Sequence, residues 1–161
     1  VAVQYQFGEV QPVVATVATA QAVTTGDLVA MSSGTLTRAE DETWDTNEAT
    51  TRANFVAKFL GVSMQTKAAN IARPYGNSKD NAIVVGTGPM VVEFNAALAT
   101  YALGALVGPA KATGNALLSQ TVKGVSTEAE AIGRVAEATG ANATKVKVRI
   151  LSVLQPAARQ S

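Results

Sequence analysis

The sequence contains no cysteine and no histidine in 161 residues. Those absences exclude disulfides, thiolate nucleophiles, imidazole general bases, and zinc or haem sites ligated through either side chain. Charge is also scarce: Asp, Glu, Lys and Arg make up 16% of the chain, against about 25% in an ordinary soluble domain. Lys plus Arg is 13 and Asp plus Glu is 12, a formal net charge of +1, so neither nucleic acid nor a membrane surface is an expected partner. Aromatics are only 5% although hydrophobic residues reach 47%, which leaves Ala and Val to supply the apolar content. No run approaches the roughly 20 apolar residues that span a bilayer; the longest, 96–107, is broken by Thr100, Tyr101 and Gly104. A chain this poor in charge and in large side chains is expected to hide surface against a partner.

The first residues, Val1-Ala2-Val3-Gln4-Tyr5, lack the charged and apolar regions of a secretory signal, so the chain reads as made in the cytoplasm. With no such signal, the sequon Asn142-Ala143-Thr144 reads as chance. Residues 1–21 are expected to form an amino-terminal arm or edge strand, because Val10 to Ala20 is apolar and β-branched with partial alternation and Glu9 is the only acidic or basic residue there. Gly26-Asp27 signals a turn, and Ser32-Ser33-Gly34 between apolar runs signals a hairpin. Residues 39–54 surround a lone Trp44 with Glu40, Asp41, Glu42, Asp45 and Glu48 and lack sustained periodicity, which predicts a long exposed loop. A strand is expected over 55–64, a loop around Arg73-Pro74-Tyr75-Gly76-Asn77-Ser78, and strands at 82–85 and 90–94. The Ala-rich stretch from Asn95 to Leu103 predicts a short helix ended by Gly104, with apolar strand segments at 105–107 and 116–118 beyond it.

Thr127 and Glu130 have capping-box spacing, which favours helix, whereas Ala131-Ile132-Gly133-Arg134-Val135 favours a strand. Residues 145–154 alternate basic and apolar side chains, the pattern of a half-exposed strand with a cationic face or of a lysine-protected edge. Pro156 ends it, leaving 155–161 as a tail and 22–154 as the body. Many short strands separated by turns predict an all-β barrel or sandwich. There is also an internal echo. Gly26-Asp27-Leu28-Val29 followed by Phe59-Leu60-Gly61-Val62 parallels Gly104-Ala105-Leu106-Val107 followed by Ala131-Ile132-Gly133-Arg134-Val135.

Catalytic patterns are missing. There is no Ser-x-x-Lys and no Gly-Lys-Ser/Thr, and Gly86-Thr87-Gly88 runs into Pro89, which lacks the amide donor a phosphate loop needs. Asp41, Asp45 and Glu48 would suit a hard cation, and Glu40 with Glu42 a carboxylate pair, but the glycine punctuation of a calcium loop is absent. Solvated carboxylates are the favoured reading, with no metal or cofactor and no enzyme activity expected. Trp44 is either folded onto the core or held for a partner.

Gly8-Glu9 before an apolar stretch, Thr25-Gly26-Asp27-Leu28-Val29, Phe59-Leu60-Gly61-Val62-Ser63, Ala131-Ile132-Gly133-Arg134-Val135 and Val146-Lys147-Val148-Arg149-Ile150 together resemble the decoration, or cement, proteins of tailed-phage capsids. Gly104-Ala105 lacks the Asp of the first turn, and the acidic stretch 40–48 resembles an insertion. The resemblance implies a small β-barrel or β-tulip-like domain with an extended arm, usually a homotrimer, though a dimer is also compatible. It would sit on the outside of the expanded head and bridge major capsid subunits. Val10, Val13, Val14, Val17 and Trp44 are then the candidate capsid contacts. Glu40, Asp41 and Glu42 are expected to pair with Lys145, Lys147 and Arg149 of a neighbouring subunit. The alternative is a carbohydrate- or surface-binding module of a phage tail or fibre, less favoured because few aromatics are available for a sugar platform.

Overall fold

In the computed structural model, described over residues 3–71 and 81–154, strands account for nearly all regular structure. They are β1 (Gln4–Gly8), β2 (Gln11–Thr16), β3 (Leu28–Ser32), β4 (Thr35–Arg38), β5 (Phe59–Ser63), β6 (Ala82–Thr87), β7 (Met90–Ala99), β8 (Leu106–Lys111), β9 (Leu117–Gly124), β10 (Gly133–Val135) and β11 (Ala143–Ile150). One α-helix, α1 (Glu48–Val56), lies between β4 and β5. The protein is an all-β barrel protein. The loop expected around Arg73 to Ser78 and the tail 155–161 fall outside the described residues.

One sheet has the order β2-β6-β5-β3-β4, the other β1-β7-β11-β10-β8-β9. In the second, β9 also pairs in parallel with β7 at Asn95 and Ala96, which closes five strands into a barrel with β1 outside the ring. The two sheets repeat one plan. Strands β2 to β6 and strands β7 to β11 each occupy their sheet as first, fifth, fourth, second and third in chain order. In the first half β2 and β4 approach each other where β7 and β9 pair in the second. The echo in the sequence is therefore a tandem repeat of a five-stranded unit.

The glycines of the echo show why the repeat keeps them. Gly61 on β5 and Gly133 on β10 lie at equivalent positions, and a Cβ on either would run into a neighbouring strand's carbonyl, that of Gly86 or of Arg149. Only glycine lets the strands approach so closely where the sheet curls.

Alternation divides the core. Ala15, Val17, Val29, Leu36, Leu60, Ile83 and Val85 fill the first unit. Val92, Phe94, Val107, Leu117, Val122, Val146 and Val148 belong to a larger cluster that also takes Leu28, Ala30, Phe59 and Val62 from the first. Strands β3 and β5 thus bury both faces, one inward and one against the second unit.

The expected loop over 39–54 is not all loop. Asn47 accepts the Thr50 N–H through its side chain at 2.9 Å and starts α1, which buries Thr51, Arg52 and Phe55. Phe55, expected on a strand, is instead helical and packs against Phe59 with ring centroids 6.0 Å apart. The helix expected over Asn95–Leu103 is not formed: its first half continues β7, because pairing with β11 on one side and with β9 at Asn95 and Ala96 on the other overrides alanine's helical preference. Around Thr127 the capping box is not formed: Thr127 donates its hydroxyl to the Glu130 carboxylate at 2.9 Å rather than capping a backbone N–H, and only a 3-10 turn at Glu128–Glu130 precedes β10. Strand β11 lies between β7 and β10, so its lysines do not guard a sheet edge. Of the expected arm, the described residues 3–21 join the chain's own sheets through β1 on β7 and β2 on β6, with Val3 in the core.

Candidate interaction surface

Strand parity sorts the expected capsid contacts. Val17 is buried, Val13 packs against the first core and Val10 against the larger one, so only Val14, 53% exposed, offers its side chain to solvent. The preceding strand, β1, exposes Tyr5 (51%) and Phe7 (50%). Both escaped the sequence reading, although two aromatics two residues apart in an uncharged strand were a visible signal. Val3 anchors this strand: it sits so close to Gly26, whose φ is +97°, that a Cβ there would be 2.9 Å from the Val3 Cβ.

Trp44 is half-buried, and the Lys111 ammonium stands 5.6 Å from its ring centroid in a cation–π contact. The acidic residues near it are held within the same chain. Arg38 pairs with Glu40 and Asp41, both at 2.7 Å, and Lys58 with Glu42 at 2.9 Å. Asp41 also accepts from Gln21, and Asp45 from Asn54, so these carboxylates point apart. Among the described residues no group of three acidic side chains could hold a metal ion. On β11, Lys147 pairs with Glu137 at 2.8 Å, which holds its ammonium above the usual lysine range, while Lys145 and Arg149 are exposed. The structure does not bring the acidic stretch and the basic strand together within one chain.

A buried ionic centre went unforeseen. Arg52, its side chain 4% exposed, donates to the Pro109 carbonyl at 2.8 Å, to Glu130 at 2.6 Å and to Glu48. Helix α1 belongs to the first unit, whereas Pro109 and Glu130 belong to the second, so one guanidinium ties the two. Burial raises the Glu48 carboxyl, but a hydrogen bond from Lys123 and the charges of Arg52 and Lys123 outweigh it and hold it below the ordinary glutamate range. The sequence signal was Glu48 and Arg52 at i, i+4, a helical pair concealed by the acidic composition around it.

A cavity of about 390 Å³ opens between α1 and β10, lined by Ala53, Val56, Leu106 and Leu151 among others. Its ionisable lining residues, Glu128 and Arg134, pair with each other. The arrangement offers contact surface: no nucleophile stands next to a base here. No family model matches the chain, and no curated protein matches it.

Proposed function

We propose that this chain is a structural protein of a phage particle, a decoration protein on the outer surface of the expanded head that ties neighbouring major capsid subunits together. The observation that carries the reading is the ribbon of β1 and β2, where Glu9 is the only acidic or basic residue from Gln4 to Thr16 and Tyr5, Phe7 and Val14 stand half exposed. Interface centres are depleted of charge and anchored by aromatics, and such a ribbon has that composition. Tyr5 and Phe7 would be the anchors, each entering a depression between shell subunits. Many weak contacts become effective when several linked copies meet a repeating lattice.

The test is binding to expanded heads that lack the protein, followed by co-sedimentation. Changing Tyr5→Ser together with Phe7→Ser should leave the melting temperature nearly unchanged and weaken binding at least about tenfold. Undiminished decoration by this double variant would overturn the reading. Capture of the wild type by a glycan array, with no binding to heads, would favour a carbohydrate-binding module.

A further inference from the structure

The repeat exposes a difference between its two halves. On the second barrel, the edge of β7 that faces away from β11 is covered by antiparallel β1 over Met90–Glu93 and by β9 beyond it. The counterpart of β7 is β2: Val13 faces Val85 as Val92 faces Val148, and Val14 faces Val84 as Glu93 faces Lys147. Among the described residues no strand pairs with β2 on its corresponding edge.

Hydrogen-bond parity identifies which groups reach that edge. Val17 N–H donates to Asn81 O at 2.7 Å, toward β6. Val84 turns the other way, donating N–H to Gln65 Oε1 at 2.9 Å and accepting from Met64 N–H at 3.0 Å. Alternation along the ladder therefore aims the backbone groups of Gln11, Val13 and Ala15 at β6 and those of Pro12 and Val14 at the open edge. Pro12 has no N–H to leave bare there, whereas Val14 presents both a donor and an acceptor.

We propose that this edge pairs with the same edge of a second copy, antiparallel about a twofold axis beside Val13 and Val14. Three features select that occupant. A twofold-related β2 is antiparallel, the sense in which β1 fills the equivalent edge of β7. Gln11 to Thr16 carries no charge, so two copies meet without opposed like charges. The outward groups are self-complementary: the Val14 N–H of each copy finds a carbonyl on the other, and the half-exposed Val14 side chains lie on one face, opposite or diagonal to each other. Pro12 limits the number of bonds, so the pairing is reversible and concentration dependent. It joins two chains, the less usual of the two assemblies compatible with the family resemblance.

Sedimentation of the full chain over a range of concentrations tests this without any shell present, so its outcome is separate from that of the head-binding assay. The wild type is expected to be a monomer–dimer mixture. Val14→Lys and Val14→Glu, at an exposed site, should each keep the wild-type circular dichroism and weaken dimerisation at least about tenfold through like-charge opposition. Mixing the two variants at low salt should restore a dimer. A wild type that stays monomeric or forms trimers, dimers that survive in both single variants, or a mixture that fails to associate would each overturn the proposal.

Discussion

Gly133 shows how far one missing methyl group shapes the molecule. Its position against the Arg149 carbonyl leaves no room for a side chain, whereas Gly140 has open space around its Cβ direction. Gly133→Ala should therefore lower stability by about 3 kcal/mol through overpacking against backbone, and Gly140→Ala should change it little. Equal urea midpoints for the two variants would contradict this account. The sequence made Gly61 and Gly133 conspicuous because each sits inside an apolar strand pattern. It did not make Arg52 conspicuous. Nothing local marks an arginine for burial when its partners, Pro109 and Glu130, lie far along the chain.

At the scale of elements, strands were legible where alternation or a β-branched run persisted, as in β6 and β11, and illegible where tertiary pairing decided. The Ala-rich end of β7 is strand because β11 and β9 pair with it there, a fact that Asn95 to Ala99 does not encode. Helix α1 was hidden for the opposite reason. Its residues bury Thr51, Arg52 and Phe55, a mixed face that no apolar periodicity reveals. What starts the helix is the Asn47 cap, and Asn47→Ala should cost about 1 kcal/mol. Thermal unfolding would register this as a lower midpoint with the strand signal intact; an unchanged midpoint would mean that tertiary contacts alone hold α1. The candidate contacts followed the same division. Alternation was readable along β2, but which of its faces met the core was not, so Val13 and Val17 were grouped with the exposed Val14.

At the scale of the whole molecule, the shared core and the Arg52 centre join the two repeats. Glu48 contributes to that centre as an anion, and its native pKa lies below the ordinary value. Its ionised form therefore stabilises the fold at neutral pH, and that contribution is lost as pH falls from the ordinary carboxylate range through the lower native value. Glu48→Gln should be less stable than the wild type near pH 7, and the two urea midpoints should converge in acid. A gap of constant size from neutral to acidic pH would show that the charge of Glu48 is not involved.

The ladder of β1 and β2 against β6 and β7 also bears on mechanics. Gln11 faces Thr87 and, after a short step, Gly8 faces Met90, so two antiparallel chains cross from one unit to the other side by side. A tension that draws the two units apart along this axis loads two continuous covalent backbones at once, together with the core they share. Such a link resists stretching, and Gly8, with φ at +101°, turns the chain out of β1 toward β2 while its backbone lies close against Pro89 and Met90. The proposed role, fastening subunits of an expanded head, would draw on that stiffness.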